Sequence, residues 1–187
     1  KHYDSPFCNQ AIKYVLMDKI NEKSFSANHL KELIDYNKII TKEKFKAQDL
    51  LENGVQTSGN LFSLNYPFIK AIKLALEIKI EEYKQKFKHS EQGFINNWPK
   101  NYELRSWIIS MKNGGFLKSH NHPYGWITGS FYLQIPEYNN IYNNSGSIAF
   151  SYKCPRYPTK EKDFNLTIQK IETRDICIFP SSLFHHT

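Results

Sequence analysis

Residues 118–136 read KSHNHPYGWITGSFYLQIP, and the rest of the chain is organised around this stretch. His120 and His122 are separated by one residue. In an extended strand, residues two apart point to the same face. Both imidazoles can therefore reach one point in space. Neutral imidazole is the commonest metal ligand and suits iron, zinc, copper and nickel. After a turn at residues 123–125 comes an alternating run. Ile127, Gly129, Phe131, Leu133 and Ile135 fall on one face and read as core. Trp126, Thr128, Ser130, Tyr132 and Gln134 fall on the other, a polar and aromatic face suited to the wall of a ligand pocket.

Downstream, FPSSLFHHT ends the chain with His185 and His186 as a further histidine source. Upstream of the histidines, ELRSWIISMK reads as a strand, NGG at 113–115 as a hairpin turn, and FLKSHNH as the next strand. Beyond them, residues 137–145 and 154–163 read as loops. GSIAFSYK, with Ile148, Phe150 and Tyr152 on one face, reads as a strand, as do NLTIQKIE and DICIFP. The first half differs. Leu30, Leu33, Ile34 and Tyr36 recur at helical spacing, with Ser24 or Ser26 as the cap. Ile69, Ile72, Leu76, Ile80, Tyr83 and Phe87 form one apolar helical stripe. Asn65 is its expected cap, and Pro67 suits its first turn. The plain reading of that stripe is a helix buried against a sheet, with no catalytic role. Residues 41–60 read as loop with a short helix near Asp49–Glu52, and residues 1–20 as either helix or edge strand. Helices first and strands afterwards indicate α+β.

At 187 residues with 40% hydrophobic content, the chain is expected to form a single domain with a substantial core. Residues 1–100 are expected to give mainly helical support, and 101–187 the β core. No apolar run is long enough to span a bilayer, and the first residues lack the apolar core of a secretory signal. Cys8, Cys154 and Cys177 form no CxxC pair, which points to free thiols, a reducing compartment and a cytoplasmic location. Cys177, set among Ile176, Ile178 and Phe179, reads as core. The net charge of +7 comes with only three arginines, Arg105, Arg156 and Arg174. Nucleic-acid sites favour arginine for bidentate contacts, so no nucleic-acid partner is expected. Arg105 is either an anion anchor or, by default, a solvent-exposed arginine. The sequons at Asn143 and Asn165 carry no weight without a signal peptide. No Ser/His/Asp order, P-loop or dinucleotide glycine pattern appears.

The string W-x-x-x-M-x-x-G-G-x-x-x-x-H-x-H-x-x-G-W-x-x-G-x-x-Y-L-x-x-P, Trp107 to Pro136, is followed by F-P-S-x-L-x-H-x-T, Phe179 to Thr187. Together with the weaker NNWP at 96–99 and QTSGNLF at 56–62, these resemble the iron(II)/2-oxoglutarate-dependent oxygenases often attached to tetratricopeptide repeats in bacteria. The resemblance covers residues 56–187. It implies a double-stranded β-helix, a jelly-roll or cupin-like core, with the N-terminal helices packed on one sheet. It also implies Fe(II), 2-oxoglutarate and O₂, and hydroxylation of an unactivated C–H bond of an unassigned substrate. The register places the distal ligand at His185, with His186 turned away. The expected metal ligands are then His120, His122 and His185, with no catalytic residue beyond them. Thr128, Ser130, Tyr132 and Trp126 are the expected cofactor-side residues; each hydroxyl equally suits a polar outer face, and the alternative for Trp126 is plain packing.

Two departures stand out. The usual facial triad is His-x-Asp/Glu plus a distal His, whereas this chain has a histidine at position 122. The arginine that anchors 2-oxoglutarate lies beyond the distal histidine, so the chain is expected to continue past Thr187. Two rival readings follow, a three-histidine cupin-type dioxygenase that needs no 2-oxoglutarate and a non-catalytic β-helix binding domain.

Overall fold

The computed structural model describes residues 5–43, 45–46, 48–136, 144–151 and 166–187. After a 3-10 turn at Ala11–Tyr14 come β1 (Leu16–Lys19), α1 (Ala27–Glu43), β2 (Phe45–Lys46) and β3 (Leu51–Thr57). A second 3-10 turn at Leu61–Ser63 precedes α2 (Pro67–Lys86) and α3 (Gly93–Asn96). The rest is β4 (Ile109–Leu117), β5 (Ile127–Phe131), β6 (Ser147–Ser151), β7 (Thr167–Lys170), β8 (Asp175–Pro180) and β9 (Phe184–His186). The strands form three three-stranded sheets, β1-β8-β5, β2-β3-β4 and β7-β6-β9. Every pairing among the described residues is antiparallel. Among the described residues, no helix is long and apolar enough to cross a membrane.

α2 is tied to the β1-β8-β5 sheet, and α1 packs beside β2 and β3 of the second sheet. Lys79 of α2 reaches Asp18 of β1 at 2.7 Å. Phe25, just before α1, meets Phe131 of β5 edge-on at 5.9 Å between ring centroids. Ser26 caps α1, its hydroxyl accepting the His29 N–H at 3.1 Å. The apolar stripe of α2 faces inward: Ile69, Ile72, Ile80 and Tyr83 are buried, while Leu76 and Phe87 are partly buried against the same core. The buried Tyr83 hydroxyl donates to Tyr14 O at 2.8 Å, so its polar atom is satisfied. Ile72 is 3% exposed. Replacing it with alanine is expected to cost about 2–5 kcal/mol in urea unfolding. A loss too small to resolve would contradict the buried stripe.

Several local expectations are corrected. Residues 41–60 are not a loop with a short helix. They hold β2 and β3, because β3 finds a partner in β4, more than fifty residues away in sequence. The NGG at 113–115 is not a hairpin turn and lies inside β4. Pairing slips there between Glu52 and Gly54, so residues 112–115 bulge opposite Asn53. Gly114, at φ +73°, supplies the left-handed residue that the bulge needs. A Cβ on Gly115 would lie 2.7 Å from Asn53 O, so the bulge also needs bare backbone there. Regular strand begins at Ile109 and not at Glu103, and His120 and His122 lie beyond the strand end. Tyr66, not Asn65, is the N-cap of α2; Pro67 occupies its first turn. Residues 1–20 hold both a 3-10 turn and an edge strand. Tyr152, Cys154, Arg156, the sequon residues Asn143 and Asn165, the loop at 154–163 and most of the loop at 137–145 fall outside the described residues.

Candidate metal centre

His120 follows β4 and forms an isolated antiparallel bridge with His185 of β9. The His120 N–H donates to His185 O at 3.1 Å, and the His185 N–H to His120 O at 2.9 Å. Residues directly opposite on antiparallel chains carry their side chains on one face. The two imidazoles accordingly stand 4.3 Å apart between ring centroids. His122 joins from the following turn, its N–H donating to Ser181 O at 3.0 Å. Its ring lies 5.1 Å from that of His120 and 5.2 Å from that of His185. One ring nitrogen from each residue falls within 4.8 Å of the others, and among the described residues no carboxylate or thiol joins them.

The surroundings suit metal ligation. His120 Nδ1 lies 2.8 Å from Lys118 O, and His185 Nδ1 lies 3.3 Å from Leu183 O. A carbonyl accepts only from a protonated Nδ1, which leaves Nε2 with its lone pair. Burial pushes the His122 pKa down to about 4, with help from neighbouring His120. Burial takes His185 down to about 3, the His120 and His122 rings adding to it. Both are therefore neutral imidazoles at physiological pH, the form that binds metal.

These shifts set a pH dependence for the metal-free chain. Below about pH 6.5 the unfolded chain takes up protons at these two positions and the folded chain does not. Stability is then complete above pH 6.5 and lost as pH falls toward about 4, by at most about 1.4 kcal/mol per unit per histidine. The urea midpoint of chelator-treated protein should be lower at pH 5 than at pH 7.5; the reverse order would contradict neutral burial.

His186 does not join the cluster. It is half-buried opposite Ala149, and its Nδ1 has no hydrogen-bond partner among the described residues. Arg105 sits at the surface, paired with Glu103 at 3.0 Å. Arg174 is structural: its guanidinium donates to Ile20 O and Phe25 O, and it holds φ +75°.

The pocket-side residues read from the sequence separate into two groups. Thr128 lies opposite Phe179 and Ser130 opposite Cys177 across the β5–β8 pair, so these four share one face. Tyr132 continues it, its hydroxyl 3.8 Å from Cys177 Sγ. Phe179 packs edge-on against His185 at 4.8 Å and against Phe150 at 5.0 Å. This face therefore looks toward the histidines, away from the helices. Burial raises the Cys177 thiol to about 11 and raises the Tyr132 phenol, so both stay neutral. Trp126 is placed differently. Its indole N–H donates to Phe94 O at 2.7 Å, and its ring meets Phe7 edge-on at 5.1 Å. It packs between β5 and the helical layer.

Two neighbours of the site escaped the sequence reading. Trp107, 40% exposed, has its ring 5.9 Å from that of His122. Ser181 supplies the carbonyl that receives the His122 N–H. Both lie within the quoted motifs, but no spacing argument reveals what they touch. One surface cleft is lined by Met17, Asp18, Lys19, Gln169, Lys170 and Asp175, and none of the three histidines lines it.

Antiparallel sheets with helices packed beside them, and three imidazoles whose ring nitrogens lie within 4.8 Å of one another, make a mixed helix-and-sheet protein with a cluster that could hold a metal ion. Residues 105–187 match the family described as "Putative 2OG-Fe(II) oxygenase". That family uses Fe(II) and 2-oxoglutarate, and the cluster of His120, His122 and His185 could bind the iron. Among solved structures, the fold resembles a prolyl hydroxylase from Trichoplax adhaerens in complex with a hypoxia inducible factor oxygen degradation domain peptide fragment. The TM-score is 0.58 at 13% identity, covering 96% of this chain and 79% of that one. No curated protein matches the chain.

Proposed function

We propose that the chain is a single oxygenase domain with a double-stranded β-helix core that hydroxylates a C–H substrate. In this reading His120, His122 and His185 hold Fe(II). Thr128, Ser130 and Tyr132 offer hydroxyls to the carboxylates of 2-oxoglutarate, while Trp126 supports β5 from beneath. The observation that carries the reading is the convergence of three ring nitrogens, two from the first family motif and one from the second. Fe(II) with 2-oxoglutarate and O₂ supplies the oxidising power, the keto acid leaving as succinate and CO₂. The protein's own part is to present imidazole ligands, to orient His120 and His185 through the Lys118 and Leu183 carbonyls, and to pack Phe150 and Phe179 behind His185. Purified protein given Fe(II), 2-oxoglutarate and air is expected to release succinate, and a chelator should stop it. The absence of a carboxylate from the ligand cluster favours a second reading, a three-histidine dioxygenase without 2-oxoglutarate. Iron retention with no succinate release would turn the assignment to that reading.

A further inference from the structure

The turn between β8 and β9 is tied to the segment that carries the second histidine. Ser181, at 3% exposure, lies just past the end of β8. Its carbonyl accepts the His122 N–H at 3.0 Å. Its own N–H donates to Trp126 O at 3.3 Å, and its hydroxyl donates to Gly125 O. Three hydrogen bonds from one residue thus run to both ends of the turn over residues 122–125, which is closed by the Gly125 N–H bonding to His122 O at 2.9 Å. Packing leaves no slack. A Cβ on Gly125 would stand 3.3 Å from Ser181 Cβ, so small residues are needed on both sides. His120 is held independently, by its paired bonds to His185 and by the Thr187 N–H on Leu117 O at 3.2 Å. His122 has no such bridge, and its backbone is fixed through Ser181.

We propose that Ser181 is a positioning residue for His122: its buried hydroxyl locks the turn that aims the second imidazole at the other two. This rests on the reading of His120, His122 and His185 as the ligand set. Losing the hydroxyl removes its hydrogen bond to the Gly125 carbonyl, one of the three ties between Ser181 and the turn. The turn is then free to rotate, and only the His122 arm of the site loosens. Removal of a group that orients a metal ligand typically lowers metal affinity about 10–100-fold.

The test titrates the metal-free protein with Co(II), whose visible absorption reports the number and arrangement of its donors. Ser181→Ala is expected to weaken Co(II) binding about 10–100-fold and to shift the spectrum toward that of His122→Ala. A purely structural serine would lower the unfolding temperature while leaving the cobalt spectrum of the folded fraction unchanged, and that result overturns the proposal. Should the alanine variant not fold, Ser181→Cys keeps the volume with a much weaker donor. Wild-type affinity and spectrum in that variant overturn the proposal equally. A wild-type chain that takes up no cobalt overturns the ligand reading itself. Normal uptake by wild type with an indistinguishable Ser181→Ala overturns this inference alone.

Discussion

Replacing His120 with alanine is expected to leave the protein unable to retain iron. The His120 ring lies 4.3 Å from that of His185 and 5.1 Å from that of His122. Its Nδ1 is engaged by the Lys118 carbonyl, so the ring is already oriented. Losing one of three protein ligands should cost far more than the roughly 10–100-fold typical of an outer partner. The two backbone bonds to His185 survive in alanine, so the fold should persist and the effect should be confined to the metal. His186→Ala is the matched control. Adjacent residues of a strand point to opposite faces, and the His186 ring is outside the cluster. Iron content after anaerobic loading and desalting should fall to background in His120→Ala and stay near wild type in His186→Ala. Normal iron in the first, or loss in the second, would overturn the ligand assignment.

Gly129→Ala is expected to be the most damaging substitution in the sheets. A Cβ at this position would fall 2.3 Å from Cys177 O and 3.4 Å from Ile178 Cα, both backbone atoms of the paired strand. Backbone cannot rotate aside as a side chain can, so β5 and β8 would have to separate. Overpacking commonly costs about 1–3 kcal/mol and sometimes more, and a clash between backbones belongs at the upper end. The damage should also reach the site, because the same pair sets Thr128 against Phe179, whose ring supports His185. Low soluble yield or a thermal midpoint lowered by several degrees, together with weakened metal binding, is the expected result. An alanine variant as stable as wild type would mean that the two strands are not held this close.

The long apolar stripe of α2 was legible because a helix carries its own hydrogen bonds and a 3.6-residue period survives in any context. β5 and β8 were legible for a related reason, since alternation and β-branched residues mark a strand packed on one face. β3 was not. Its seven residues, LENGVQT, carry an Asn-Gly pair that signals a turn. They become a strand only because β4 lies beside them with a bulge that absorbs the misfit. The NGG at 113–115 misled for the same reason. A hairpin and a bulge both call for a left-handed glycine, and only the partner strand distinguishes them.

The candidate site divides along the same line. The types of the three histidines and their order along the chain are local facts, and the sequence by itself determined that imidazoles would be the ligand candidates. The His-x-His parity argument reached the right neighbours by an imperfect route, because His122 sits on a turn and not on a strand. The tertiary structure alone decided that His185 stands across from His120, that Ser181 holds the turn carrying His122, and that Trp126 turns toward Phe94. Each is a contact between segments roughly 30–65 residues apart. Such contacts are set by how strands pair and how buried donors find acceptors, and no periodicity along the chain records them.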